Sequence, residues 1–348
     1  MQSFPPEIWH HIFDHLISFD KFEAKNFGGL LRICRSSYVG GLHAIYYFPK
    51  LNPRNYHKFV DTISRKPTRK LVHHISLNNV SYASKASITS RLLRRCATNL
   101  ETFSGPQSGL GFTALRAFSQ CQKLKKIDLS ILSEKIDLQY LFGGIQHLKH
   151  LEYIILPYLS IPAPMCTECW PSSLTFVGFS GGLTDDFLAE SVFPPSLKSI
   201  NITQCPLLTD AGIFSLLSKI GPNLSSVCVQ YPMPELSRSG LDCIFQLCPN
   251  ATTISIPANY ITSTAFESIP ESGHNVRSLE ITYSGSLLTN ISLIKADDLV
   301  GALVDGKLPN LHRLQWSIRL GWREESQDVQ DLLELIDDQD GEVFITVK

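Results

Sequence analysis

The stretch Leu197-Lys-Ser-Ile200-Asn-Ile202-Thr-Gln-Cys205-Pro-Leu-Leu-Thr209-Asp210-Ala-Gly212-Ile213 decides the fold. It opens with an apolar residue, two variable ones, an apolar one, a variable one and an apolar one, the alternation of a short half-buried strand. Thr209 or Asp210 then suits a helix N-cap. Ala211, Phe214, Leu217 and Ile220 follow at helical spacing and share one face. A strand and a helix in about 25 residues cannot bury their own apolar faces, so such a unit demands neighbours.

The chain supplies them. The opening phrase recurs at Leu124-Lys-Lys-Ile127-Asp-Leu129, Leu151-Glu-Tyr-Ile154-Ile-Leu156, Leu174-Thr-Phe-Val177-Gly-Phe179 and Leu224-Ser-Ser-Val227-Cys-Val229. It returns at Ala251-Thr-Thr-Ile254-Ser-Ile256, Val276-Arg-Ser-Leu279-Glu-Ile281 and Leu311-His-Arg-Leu314-Gln-Trp316. Weaker copies start at Val72 and Leu100, and start-to-start spacings along the series are 28, 24, 27, 23, 23, 27, 27, 25 and 35. A chance apolar pattern does not hold such a period. Helix periodicity fills most intervals: Leu92, Leu93, Cys96; Leu138, Leu141, Phe142, Ile145, Leu148; Leu241, Ile244, Phe245, Cys248. Between Leu151 and Leu197 prolines interrupt the pattern, which predicts extended or 3₁₀ connections there.

The series resembles the leucine-rich repeat family over roughly residues 70–348, with the Cys205 and Thr209-Asp210-Ala-Gly212 phrase similar to its cysteine-containing subtype. The resemblance implies an α/β solenoid with parallel strands on a concave face and helices or 3₁₀ segments outside.

A different unit precedes the repeats. Phe4-Pro5-Pro6-Glu7-Ile8 enters a helix through proline, and Ile8, Ile12, Phe13 and Leu16 share one face. A second apolar cluster, Leu30 to Cys34, follows. Residues 2–50 resemble the F-box, a small all-α module whose signature is a hydrophobic residue, Pro, x-Glu, then Ile/Leu positions. Lys21–Gly29 replaces the compact middle segment of that family, and Ser37-Tyr38 stands where a Trp is common. The expected organisation is an F-box-like module at 1–50, a basic linker at 51–70 and a solenoid at 71–348, closed by an acidic cap over about 324–348. The paired resemblance implies a substrate receptor of a cullin-based (SCF-type) ubiquitin ligase. A Skp-type adaptor would dock on Pro5, Pro6, Ile8, Ile12, Phe13 and Leu16, and a cullin with a RING protein would follow. A non-catalytic repeat scaffold, or an accessory protein such as a GTPase activator built on leucine-rich repeats, stands as the alternative.

Composition agrees with a protein that buries a large core. The 348 residues suggest about two domains, and 43% are hydrophobic and 18% charged. A formal charge of −1 gives no global field towards nucleic acid or anionic membrane. That charge is polarised: residues 1–100 hold 15 Lys/Arg against 5 Asp/Glu, while Glu324 to Glu342 hold nine acids and no base. No apolar run approaches the ~18 residues of a membrane span. Met1–Ile17 lacks a basic leader region, and nine cysteines is an odd number, so reduced thiols in cytoplasm or nucleus are expected. Five Asn-x-Ser/Thr sequons, Asn201 among them inside a strand, read as accidental.

Catalytic signals are sparse. Cys166-Thr-Glu-Cys169 has no second ligand pair nearby for zinc. His10-His11 and His73-His74 point apart as sequence neighbours. There is no Walker loop, G-x-G-x-x-G or nucleophile elbow, so no cofactor, metal or enzyme activity is expected. The strands' third and fifth positions, with the residue after each phrase, should face outward. Among the thirty such residues only Lys126, Asp128, Glu280 and Arg313 are charged. Tyr153, Ile155 and Phe176 instead form an aromatic and aliphatic patch, the expected substrate contact.

Overall fold

The computed structural model describes residues 4–18, 27–65, 67–80, 84–162, 170–284 and 294–347. The Cys166–Cys169 motif lies outside them. The chain forms two compact units, residues 1–134 with 147–151, and residues 135–146 with 152–348. Among the described residues, no helix is long and apolar enough to cross a membrane.

The first unit begins with helices. Helix α1 (Pro6–Ser18) packs on α2 (Arg35–Tyr47), and α3 (Tyr56–Arg65) follows. The α1–α2 crossing is close because α2 carries Gly40 and Gly41: a Cβ at Gly41 would lie 2.5 Å from Leu31 Cδ2 and 2.7 Å from the Phe13 ring. Strands β1 (His74–Ser76), β2 (Thr102–Ser104) and β3 (Lys126–Asp128) then pair in parallel, alternating with α4 (Ala86–Cys96) and α5 (Gly111–Ala117).

The second unit starts at α6 (Leu138–Ile145). Its parallel strands run in chain order: β4 (Tyr153–Ile155), β5 (Phe176–Phe179), β6 (Ser199–Thr203), β7 (Ser226–Gln230), β8 (Thr253–Pro257), β9 (Ser278–Thr282), β10 (Arg313–Ser317) and β11 (Glu342–Thr346). The register matches phrase to phrase, as in Ile200↔Val227 and Ile254↔Leu279. Every phrase's fourth position, from Ile75 to Leu314, is at most 1% exposed and forms the core. These strand-first units are leucine-rich repeats, and the fold is the α/β architecture expected from the period.

Two local readings are corrected. Helix α8 (Asp210–Ile220; after α7, Asp185–Glu190) buries Ile213, Leu216, Leu217 and Ile220, while Ala211 and Phe214 are exposed. Leu217 and Ile220 of the expected stripe are buried as read, whereas its first half lies outside the buried face, which takes Ile213 and Leu216 instead. The Thr209-Asp210 phrase also does more than cap. Thr209 occupies the N-cap without a side-chain cap bond. Instead its N–H and Oγ1 donate to Asp185 of the preceding repeat at 3.1 and 2.6 Å. Asp210 in turn accepts from the Ser237 N–H at 2.9 Å, and Asp242 accepts from the Thr262 N–H and Oγ1, both at 2.7 Å. Gly212 and Gly240 complete the device, because a Cβ at either would collide with the carboxylate of Asp185 or Asp210.

At the C-terminal end, α10 (Gln327–Asp337, following α9 at Ala296–Val304) buries Val329, Leu332 and Ile336 and keeps its acids outward, and β11 pairs with β10. A polar outer face is what a terminal repeat requires. Truncation after Arg323 would uncover Trp316, now fully buried; light scattering should show aggregation, and an equally heat-stable soluble truncation would refute the capping role. Asp242→Ala strips two hydrogen bonds from Thr262 and leaves a half-buried N–H unpaired. Urea unfolding should register a loss of about 1–3 kcal/mol.

Candidate functional site

The apolar residues of the first helix and of the two positions before it grade from exposed to buried. Phe4 (58% exposed), Pro5 and Ile8 (44%) lie on the surface, Pro6, Ile12 and Leu16 are half-buried, and Phe13 is fully buried. The adaptor face expected from sequence therefore loses Phe13. At about 100° per residue Phe13 lies roughly 140° round the helix from Ile8, which turns it onto Gly41 and Leu31. Exposed Ile33, Tyr38 and Val39 enlarge the apolar surface of this module; the sequence reading places Ile33 in the second apolar cluster and Tyr38 after it, but assigns none of the three to the adaptor face.

Aromatic and imidazole rings tie the module to β1. His10 meets His43 edge-on at 4.3 Å, His43 stacks with Tyr47 at 5.7 Å, and Tyr47 stacks with His73 at 4.8 Å. The His73 N–H donates to the Tyr47 carbonyl at 3.1 Å. Burial, reinforced by His10, holds the His43 imidazole below its ordinary pKa, and burial does the same to His74. Glu101 faces the far side of this joint, 2.8 Å from Lys125 Nζ and 2.9 Å from His73 Nδ1. Hydrogen bonds from Lys125 and then His73 draw its carboxyl pKa down to about 2. The buried thiols Cys96, Cys121, Cys205 and Cys248 are pushed up to about 12 by desolvation, which makes them core residues rather than nucleophiles.

On the strand face of the second unit, Tyr153 and Phe176 occupy paired positions of β4 and β5. Their rings stack 4.1 Å apart and 6° from parallel, half-buried, with Ile155 half-buried on the same strand as Tyr153. The structure thus brings all three expected patch residues together. Asn201 continues the row beside Gly178, and its buried Oδ1 has no hydrogen-bond partner among the described residues. The few charges further along are already engaged. Glu280 accepts from Ser255 Oγ at 2.7 Å and Gln315 Nε2 at 2.8 Å, and the Arg313 guanidinium lies 4.5 Å over the Phe344 ring. Pro157, Ser180, Pro257 and Ser317, expected on this face, are buried instead, as are Gly178 and Ser255 within their strands.

No family model matches the chain. The F-box protein YDR306C of Saccharomyces cerevisiae is 33% identical over 324 residues, 90% of this chain and 68% of that protein. The chain belongs to the F-box proteins. Among solved structures, the leucine-rich repeat-containing protein LegL7 of Legionella pneumophila is similar at 14% identity and a TM-score of 0.48, over 83% of this chain and 95% of that one. The yeast Rad7 and Elc1 complex is similar at 14% identity and a TM-score of 0.43, over 99% of this chain and 90% of that one.

The Glu101 shift carries a sign. A carboxylate whose folded pKa lies below its unfolded value stabilises the fold above the unfolded value near 4.5 and stops doing so as pH falls towards about 2. Acid unfolding followed by circular dichroism should lose on the order of 1–3 kcal/mol across that window. Glu101→Gln should flatten the dependence, and an unchanged slope would refute the assignment.

Proposed function

We propose that this F-box protein is the substrate-recognition subunit of an SCF-type ubiquitin ligase. Residues 1–50 dock on a Skp-type adaptor, which a cullin with a RING protein holds. Residues 51–70 link, and the repeats from residue 71 bind the protein to be ubiquitinated. The chain contributes binding, and a ubiquitin-conjugating enzyme supplies the chemistry. The observation that carries this reading is the exposed apolar edge of Phe4, Pro5 and Ile8 on the first helix of an F-box chain. Burying an Ile side chain is worth about 1.5–3 kcal/mol, so such an edge gains by association.

Co-purification with a Skp-type adaptor tests the reading. Phe4→Ala/Ile8→Ala should abolish capture while leaving the melting curve of the repeats unchanged, since both side chains are exposed. Undiminished capture would refute the docking assignment. Phe13→Ala should fail differently, destabilising the helical module itself by about 3–5 kcal/mol through the cavity it leaves.

The strand face supports recognition by shape and aromatic contact. Phosphate reading needs converging, uncommitted Arg or Lys, and the face of the second unit offers a stacked Tyr153–Phe176 pair instead. Substrate capture should fall at least tenfold in Tyr153→Ala/Phe176→Ala and stay the same after phosphatase treatment. Phosphatase-sensitive capture that ignores both aromatic changes would overturn this assignment.

A further inference from the structure

Residues 51–120 carry eleven Lys/Arg against two Asp/Glu. Both acids are engaged: Glu101 holds Lys125 and His73, and Asp61 pairs with Arg91 at 2.9 Å. The surplus positive charge has no counterpart within that stretch.

Helix α4 concentrates it. Its inner face buries Thr89, Leu92, Leu93 and Cys96, which leaves Ser87, Arg91, Arg94 and Arg95 together on the outer face at i, i+4, i+7 and i+8. With Ser90 and Thr113 they line a cleft of about 580 Å³, within the range of roughly 300–1,000 Å³ typical of ligand sites. Ser90 Oγ donates to the Thr113 carbonyl at 3.1 Å and so fixes the wall that α5 contributes. Arg94 and Arg95 are exposed and form no ion pair among the described residues. Three cations within two turns of a helix repel one another, and Arg94 and Arg95, whose place in the last turn complements the helix dipole, meet no carboxylate among the described residues.

We propose that this cleft binds a phosphorylated, acidic segment of a partner protein. Arg94 and Arg95 each present an uncommitted planar fork of the kind that bonds a phosphate bidentately, and Arg91, held by Asp61, adds positive charge one turn away. The hydroxyls of Ser87 and Thr113 stand ready as neutral donors. The net positive charge of residues 51–120 complements the carboxylates of an acidic flanking sequence. A nucleic-acid strand fits less well, because base stacking needs aromatic faces in the site and none of the residues lining the cleft is aromatic. A membrane fits less well still, since none of the six lining residues is apolar. The strand face of the second unit lacks this chemistry, so the site is a separate recognition surface. The inference does not rest on the ligase reading.

Fluorescence anisotropy with the full chain and a labelled acetyl-Glu-pSer-Glu-pSer-Glu-amide peptide tests it. The phosphopeptide should bind at least tenfold more tightly than its unphosphorylated form, and more weakly as salt rises. Arg94→Gln/Arg95→Gln should remove at least tenfold of that affinity without moving the melting curve. Equal binding of both peptides, no binding, or indifference to the double substitution would overturn the proposal. So would tighter binding of oligouridine, or of vesicles with 30% phosphatidylserine, that the same substitution abolishes.

Discussion

A repeat of some 25 residues cannot bury its own apolar surface, and the stacked architecture from residue 71 onward follows from that constraint. The fourth-position residues of successive phrases, such as Ile200, Val227 and Ile254, reach full burial only by lying on their neighbours. Parallel pairing in phrase register is the arrangement that lets them do so. The same constraint explains the acidic C-terminal helix, which buries one apolar stripe and turns charge to water where the series stops.

Polar groups then lock the register that apolar burial selects. Hydrophobic contact is non-directional, and a strand can slip. The bonds from Thr209 to Asp185, Ser237 to Asp210 and Thr262 to Asp242 are directional, and each joins one repeat to the next. Gly212 and Gly240 matter because a side chain there would evict the carboxylate. The fixed register in turn places Tyr153 directly beside Phe176, so the aromatic pair is a consequence of the scaffold.

Charge is distributed by role. Acids cluster in the cap, the charged side chains Glu280 and Arg313 on the second unit's strand face are satisfied by Ser255, Gln315 and Phe344, and uncommitted bases collect on the outer face of α4. The strand face of the second unit thus offers an aromatic pair, and helix α4 of the first unit offers free positive charge.

The sequence by itself determined the period, the strands and the buried fourth positions, since alternation and 25-residue spacing are local properties that any neighbour of the same design satisfies. It also determined the F-box signature at Phe4 to Ile8. Tertiary structure alone decided how each side chain is spent. Phe13 shares a helix with Ile8, yet Gly41 across the crossing makes it core. Phe214 shares the apolar character of Ile213, yet only one of them meets a neighbour. Thr209 and Asp210 look like a helix cap from composition, and their bonds run to the adjacent repeats because that is where the nearest unpaired groups lie. Those outcomes depend on residues 20–30 positions away in the chain, brought close only by stacking, which no local pattern encodes.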